Sequence, residues 1–331
     1  MSRMVNQKVY NCILSQVLST CGDLLVCGNI YGDIAVFDLA GVLSGGEEHS
    51  NSKGPKCSFK SPNGEQICSL ASTGRFLIVG TVGAIFGYGW DSIKNDEPRT
   101  SWTINLPSSR EGLQNMDVNS MLVLQTEADS DQLFAGCGDN NIYCFSLETG
   151  KALRIFDGHT DYIHSLSSCG SQIASASEDG TVRLWDMRRA ALNSKIEPQT
   201  EPKLCRNQFG KWIGDVSITG DWLVCGGGPR CSLWHMRTME MMTAFTELPD
   251  FEVHIAQLQG ESVLCGGASS NFYVASLTGQ VTSKMTTSTI SLNSALYSNT
   301  PRNVLTLAGS SNKIDVCTNF TYRHQVLNFY A

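Results

Sequence analysis

One stretch, residues 158–186, constrains the fold of this chain more than any other. It begins with a Gly-His pair at 158–159 and ends with a Trp-Asp pair at 185–186. Between these pairs, apolar segments of strand length alternate with turn residues, and the Asp-Gly pair at 179–180 is a strong signal for a tight hairpin. The predicted strands are residues 162–166, 172–176 and 181–185. The stretch therefore predicts one small antiparallel sheet.

This spacing of Gly-His and Trp-Asp resembles a blade of the WD40 family of β-propellers. In that family, four polar side chains form a chain of hydrogen bonds within a blade, and the resemblance assigns these positions to His159, Ser175, Asp179 and Trp185. An indole N–H only donates, a hydroxyl can relay, and a carboxylate accepts from imidazole, so each member can be satisfied. Ser177 lies on the same strand face as Ser175, and both stay candidates for the relaying hydroxyl.

A His, a Ser and an Asp in one unit also suggest a catalytic triad. Blade geometry already accounts for their spacing, and neither an oxyanion-hole motif nor a nucleophile elbow accompanies them. We therefore predict a structural tetrad that holds its blade together without doing chemistry. Because no other part of the chain has all four members, we expect this blade to be the most rigid one.

The rest of the chain repeats this unit in degraded form. In each unit, one strand-like segment ends at or near a residue in the place that Trp185 has here, which we call the landmark residue. Landmark residues recur about once per blade of roughly 40–45 residues, with two longer intervals. The landmarks are Phe37, Trp90, Phe145, Trp185, Trp234, Ala275 and Cys317. They predict an all-β chain that forms a single domain over residues 1–331, a seven-bladed WD40 β-propeller whose first and last blades each own four strands. The predicted blades are residues 9–60, 66–104, 117–156, 158–197, 212–246, 251–284 and 289–330.

Composition limits the function. A formal net charge of −7 argues against a domain that grips phosphate backbones by itself. The chain begins without an apolar run, and no apolar stretch approaches the ~20 residues that span a bilayer, so we expect a soluble, intracellular protein with no membrane contact. The Gly/Ser/Glu-rich residues 43–55 predict an exposed, mobile loop.

The 13 cysteines are interpreted as reduced thiols of the core. Several precede a glycine at the end of an apolar strand, as a repeated blade would produce: Cys27-Gly28, Cys137-Gly138, Cys225-Gly226 and Cys265-Gly266. No C-x-x-C motif or Cys/His cluster with zinc spacing occurs, and the carboxylates show no pairing typical of acid/base catalysis. The glycines at 226–228 lack the Gly-Lys-Ser/Thr ending of a phosphate loop. We predict no catalysis, no metal, no cofactor and no small-molecule substrate.

A candidate partner-binding rim lies where loops lead into the strands. Trp212 precedes a strand at a loop expected on the same side as the Gly-His pair, and an aromatic there can anchor a partner. The alternative, a Trp packed over a central channel or a neighbouring blade, stays open. The candidate rim residues are Tyr162, Lys211, Trp212 and Arg230.

Longer blocks of sequence narrow the resemblance. Residues 158–164, 212–214 and 221–235, with Gly-Gly-Gly-Pro and Leu-Trp-His in the last block, resemble the THO complex subunit 6 family, as do residues 28–37 and the tail at 316–323. The resemblance covers nearly the whole chain in the same order. Departures are Cys317, where the family tends to have an aromatic residue, and the loops near Ser50 and Asp96.

This resemblance implies a non-catalytic nuclear scaffold of the THO/TREX assembly, which couples transcription and mRNA processing to mRNA export. It implies binding to other THO subunits, especially the coiled-coil subunits 5 and 7, help in joining the complex into a larger oligomer, and indirect association with mRNA. Nuclear placement follows from the resemblance alone, since no localisation cluster is present.

Two other functions stay open. Trp185-Asp186-Met187-Arg188 fits the short Trp-Asp-x-Arg pattern with which WD40 substrate receptors of ubiquitin ligases dock an adaptor. The arginines at 183, 188 and 189 also suggest direct RNA binding, although the acidic balance of the chain opposes it.

Overall fold

The computed structural model describes residues 2–44, 54–107, 116–125 and 131–330. The loop predicted at 43–55 lies largely outside these residues, and its first two residues end a short helix. In the described part, no helix is both long enough and apolar enough to cross a membrane.

The described residues form seven four-stranded antiparallel sheets, each built from four strands that follow one another along the chain. Blade one has helix α1 (Ser2–Val9), β1 (Ile13–Leu18), β2 (Leu24–Asn29), β3 (Asp33–Asp38), α2 (Leu39–Ser44) and β4 (Cys57–Lys60). Blade two has β5 (Ser69–Ser72), β6 (Phe76–Gly80), β7 (Ala84–Gly89), α3 (Trp90–Lys94) and β8 (Thr100–Asn105). Blade three has β9 (Val118–Gln125), β10 (Asp131–Cys137), β11 (Ile142–Ser146) and β12 (Ala152–Phe156).

The remaining blades repeat this order. Blade four has β13 (Ile163–Cys169), β14 (Gln172–Ser177), β15 (Val182–Asp186) and β16 (Ala191–Ile196), followed by the 3-10 turns Pro198–Thr200 and Asn207–Phe209. Blade five has β17 (Ile213–Ile218), β18 (Trp222–Gly227), β19 (Ser232–His235) and β20 (Met241–Ala244). Blade six has β21 (Val253–Gln259), β22 (Ser262–Gly267), β23 (Asn271–Ser276) and β24 (Val281–Thr286), and blade seven has β25 (Leu292–Ser298), β26 (Val304–Gly309), β27 (Lys313–Cys317) and β28 (Gln325–Asn328). The predicted fold class, a seven-bladed β-propeller, is confirmed.

The chain divides into two compact units. The first comprises Met1–Val118 with Thr286–Ala331, and so holds blades one, two and seven. The second comprises Asn119–Met285 and holds blades three to six.

The landmark residue of blade two was predicted two positions too late. Trp90 does not end β7 but begins α3, where its indole N–H donates to Thr73 O at 2.9 Å. Tyr88 occupies in β7 the register position that Trp185 occupies in β15. Both aromatic residues are buried and lie two positions apart, so strand periodicity alone could not separate them.

Neighbouring blades of the second unit interlock at glycines near the end of the second strand. A Cβ added to Gly136 would lie 2.7 Å from Ile163 Cγ2, and one added to Gly226 would lie 2.8 Å from Val253 Cγ1. Because glycine has no Cβ, a branched residue from the first strand of the next blade can rest directly on its backbone.

The first unit has the same packing of branched side chains on glycines. Ile67 rests against Gly28, and Val118 Cγ1 would lie 2.8 Å from a Cβ on Gly80. Ile67 also fixes the start of blade two by donating its N–H to Asn29 O at 2.9 Å, which explains why β5 begins at Ser69 instead of residue 66. Two of the repeated Cys-Gly positions of the sequence, Gly28 and Gly226, are thus sites of contact between blades, and in blade three the contact falls on Gly136, the glycine before the cysteine.

Serine side chains add polar contacts between the first strands of the second unit. Each accepts a backbone N–H from the next blade: Leu166 to Ser120 at 3.0 Å, Ile218 to Ser167 at 3.1 Å, and Leu258 to Ser217 at 3.1 Å. These bonds satisfy donors that have no ladder partner on that side.

The first and last blades have four strands each, as predicted, and side chains connect them. The Tyr330 hydroxyl donates to Asp33 Oδ2 at 2.6 Å and accepts from Asn29 Nδ2 at 2.7 Å. Asn312 holds the backbone of Tyr330, accepting its N–H at 2.9 Å and donating to its carbonyl at 3.1 Å. Burial and the adjacent Asp33 carboxylate raise the pKa of Tyr330, so its hydroxyl stays a donor.

We expect Tyr330→Phe to lower the free energy of unfolding by about 1–3 kcal/mol, because it leaves Asn29 and Asp33 without their shared partner. Tyr322→Phe is the matched control, since Tyr322 is 52% exposed and its hydroxyl can bond to water. Urea denaturation of both variants measures the difference. Equal losses would show that Tyr330 does not join the two terminal blades.

Candidate partner-binding site

The four tetrad residues of blade four meet in one buried network. His159 Nδ1 lies 2.8 Å from Asp179 Oδ2, and His159 Nε2 lies 2.7 Å from Ser175 Oγ. Trp185 Nε1 donates to the same Ser175 oxygen at 2.8 Å. Ser177 has other partners, since its hydroxyl oxygen accepts the Asp179 N–H at 3.1 Å. Ser175 is therefore the relaying hydroxyl.

Proton positions in this network follow from its donors. Because the indole can only donate, Ser175 accepts from Trp185 and gives its own proton to His159 Nε2. His159 then carries its proton on Nδ1 and donates it to Asp179. Burial lowers the pKa of His159 from its ordinary value and outweighs the opposing effects of the Asp179 hydrogen bond and charge. The imidazole is accordingly neutral at neutral pH.

The Asp179 carboxylate is the acceptor on which the network converges. Its Oδ1 accepts from the backbone N–H and the hydroxyl of Thr181 at 2.9 and 2.6 Å, and its Oδ2 accepts the Thr160 N–H at 3.1 Å. Burial acts to raise the pKa of Asp179, but the hydrogen bonds from His159 and Thr181 more than offset it, so the pKa lies well below its ordinary value. Asp179 thus stays ionised and ties the hairpin to the loop before β13.

This geometry holds a blade and offers no access to a substrate. The side chains of His159 and Asp179 are 0% and 3% exposed, and Ser175 is fully buried. A nucleophilic oxygen must reach its substrate, whereas Ser175 Oγ lies inside the sheet and already accepts the indole N–H.

Trp212 lies half-buried before β17. Its indole N–H donates to Phe209 O at 2.8 Å, and its ring centroid lies 6.1 Å from that of His164 and 5.8 Å from that of His254. The ring also covers Gly214, where an added Cβ would lie 2.6 Å from it. The structure therefore packs one side of Trp212 on blades four and six and leaves the rest of the ring accessible.

The other candidate rim residues lie just before β13 (Tyr162), next to Trp212 before β17 (Lys211) and in the turn between β18 and β19 (Arg230). Lys211 is exposed and its stem lies over Gly180, 3.0 Å from the position of an added Cβ. Arg230 forms an ion pair with Asp250 at 2.7 Å. Tyr162 is 50% exposed on the blade-four side. We call Tyr162, Lys211, Trp212 and Arg230 the rim patch.

Two polar residues were missed by sequence reasoning. The Arg206 guanidinium is buried and donates to three backbone carbonyls of the turn at 227–229. Asp215, in β17, accepts from the Ser165 hydroxyl at 2.6 Å and the Ala256 N–H at 2.9 Å, and burial raises its pKa to about 6. Neither lies in a motif, and their partners are distant in sequence, so no local signal marks them.

The arginines considered for RNA binding do not form one patch. Arg183 lies at the hairpin end of β15, 3.7 Å from Asp179 Oδ2. Arg188 and Arg189 follow the opposite end of the strand, roughly 15 Å away at ~3.3 Å per residue. In the Trp-Asp-x-Arg pattern, Trp185 is 1% exposed and already serves the tetrad.

In the described ranges, no group of three or more His, Cys, Asp or Glu side chains is placed to hold a metal ion.

Comparison with known proteins agrees with this architecture. The family model of the WD domain, G-beta repeat, matches residues 150–186, which contain the tetrad. The chain is a WD40-repeat protein with a β-propeller fold.

Sequence similarity to individual proteins shows which family of WD40-repeat proteins the chain resembles. THO complex subunit 6 of Drosophila melanogaster is 35% identical over 98% of this chain and 91% of its own length. The Danio rerio homolog is 36% identical over 96% of this chain and 97% of its own length, and the Homo sapiens protein is 33% identical over 98% and 94%. The chain belongs to the THO complex subunit 6 family.

We expect Asp179→Ala to lower the free energy of unfolding by about 1–3 kcal/mol, because buried donors on His159 and Thr181 lose their acceptor. Asp139→Ala is the comparison in blade three. Asp139 belongs to no equivalent tetrad, although its carboxylate accepts from the Tyr143 hydroxyl at 2.6 Å and from Asn141 Nδ2 at 3.1 Å. Asp139 is only half-buried, so water can replace it and its loss should cost less.

Chemical denaturation of both variants gives the comparison, provided that unfolding is cooperative. Equal losses would mean that blade four has no special structural role. We expect a folded Asp179→Ala protein to keep its binding partners, because the four tetrad residues are buried and offer no surface to a partner.

Proposed function

We propose that this protein is a non-catalytic WD40 scaffold subunit of the THO/TREX assembly, which couples transcription and mRNA processing to nuclear mRNA export. One observation carries the proposal: THO complex subunit 6 proteins from three animals match the chain over nearly its full length at 33–36% identity. A match of this extent involves all seven blades, whereas the WD domain model matches only residues 150–186.

In this role the protein acts in the nucleus, binds other THO subunits, above all the coiled-coil subunits 5 and 7, and helps the complex oligomerise. Its association with mRNA is indirect. The net charge of −7 opposes binding to a phosphate backbone, and Arg183 and Arg188 lie towards opposite ends of β15, so these two arginines do not form one cationic surface.

The rim patch is the proposed contact surface for these partners. Tyr162 offers an exposed aromatic side chain, and Trp212 offers a ring already fixed by packing and by its bond to Phe209 O. Large side chains held in place before binding lose little entropy on association, and aromatic residues of this kind carry much of the energy of protein interfaces.

Affinity capture from nuclear extract tests both parts of the proposal. The wild-type chain should recover other THO subunits, and Tyr162→Ala combined with Lys211→Ala should recover at least about tenfold less, which corresponds to ~1.4 kcal/mol. Tyr322→Ala is the matched control, because Tyr322 and Tyr162 are 52% and 50% exposed. It should behave as wild type.

Two results would contradict the proposal. Recovery of a ubiquitin-ligase adaptor without any THO subunit would favour the substrate-receptor function instead. Full recovery of THO subunits by the Tyr162/Lys211 variant would remove the contact surface from the rim patch.

A further inference from the structure

The connection between blades four and five lies against the turns of both blades. We call its residues 197–212 the strap. Near its start, Gln199 lies over the blade-four hairpin, 3.1 Å from the position of a Cβ added to Gly180. At its end, the Trp212 carbonyl accepts the Gly228 N–H at 2.8 Å, and in its middle the Leu204 carbonyl accepts the Arg230 N–H at 3.0 Å. The strap thus touches one turn of each blade.

A single buried arginine fastens the strap to the blade-five turn. Arg206 Nε donates to Gly228 O at 2.8 Å, and its Nη2 donates to Gly227 O at 3.0 Å and to Pro229 O at 3.2 Å. The guanidinium carbon lies 4.8 Å from the centroid of the Phe209 ring. The side chain is only 4% exposed.

One carboxylate, that of Asp250, is shared by the two guanidinium groups of Arg206 and Arg230. Asp250 Oδ1 lies 2.7 Å from Arg230 Nη2 and 3.7 Å from Arg206 Nη1. A buried charge is costly unless paired and hydrogen-bonded, and here three carbonyls and a shared carboxylate meet that need. A lysine could not replace Arg206, because an ammonium group lacks the planar array of N–H donors with which the guanidinium reaches three carbonyls at once.

The turn is shaped to receive the strap. A Cβ added to Gly228 would collide with Gly210 O, and one added to Gly227 would collide with Trp212 O. Glycine at both positions lets the two backbones approach closely. The Gly-Gly-Gly-Pro block of the sequence, which fits no phosphate loop, is therefore the receptor for the strap.

We propose that Arg206 is a positioning residue for partner binding: it clasps the strap to the blade-five turn and so fixes Lys211, Trp212 and Arg230 as one preformed surface. This inference rests on the proposed function of the rim patch. Arg206 itself is buried and does not touch the partner. Its effect on binding comes from holding three exposed or half-exposed neighbours in place before the partner arrives.

Hydrogen–deuterium exchange of Arg206→Lys tests the clasp. Peptides that contain residues 204–212 and 226–231 should exchange at least about tenfold faster than in the wild type, while peptides of blade six keep wild-type rates. Gly228→Ala should give the same pattern by pushing the strap away from the turn. Arg302→Lys is the control: Arg302 donates to Asp23 Oδ1 at 3.0 Å on another blade and lies outside the strap.

Capture of THO subunits by the same variants tests the positioning role. Arg206→Lys and Gly228→Ala should each reduce recovery at least tenfold, and Arg302→Lys should not. Wild-type exchange in the strap of both variants would overturn the clasp. Fast exchange with wild-type recovery would overturn the positioning role. If the wild-type chain captures no THO subunit, the proposed function fails, while the exchange result still decides whether the clasp exists.

Discussion

The packing of one blade on the backbone of the next is the constraint on which this structure depends. Each sheet buries both faces; all six residues of β2 and five of six in β14 are buried. Such a sheet has no stable surface of its own, so its neighbours must complete it. Glycines make this possible, because Val253 rests on Gly226 and Ile163 on Gly136 at distances that a Cβ would forbid.

Polar groups buried by this packing need hydrogen-bond partners, and blades four and five supply them to their buried indoles in different ways. In blade four the Trp185 indole donates to Ser175, which continues to His159 and Asp179. In blade five the Trp234 indole donates to Ser232 at 2.9 Å, and the Ser232 hydroxyl continues to Cys225 Sγ at 3.7 Å instead of to a His-Asp pair. A buried indole N–H without an acceptor is costly, and in these two blades a serine hydroxyl supplies the acceptor.

Sequence patterns predicted contacts within one repeat and missed contacts between residues that are distant in the sequence. The spacing of Gly-His and Trp-Asp correctly predicted the strands of blade four and the members of its tetrad, because these residues all lie within one repeat. Periodicity could not choose between Tyr88 and Trp90, which lie two positions apart in the sequence and would share a face only if β7 extended to Trp90. The role of Arg206 could not be predicted from the sequence. Its three acceptors are backbone carbonyls more than 20 residues away, and every residue type has a backbone carbonyl.

The most direct test of blade-on-blade packing compares two glycines of blade five. Gly226→Ala should lower the free energy of unfolding by about 1–3 kcal/mol, because the new methyl group meets Val253. Gly220→Ala should stay within about 0.5 kcal/mol of the wild type, since an added Cβ there meets nothing within 4 Å. Combining Gly226→Ala with Val253→Ala should recover part of the loss. Equal denaturation midpoints for the Gly226 and Gly220 variants would contradict the account.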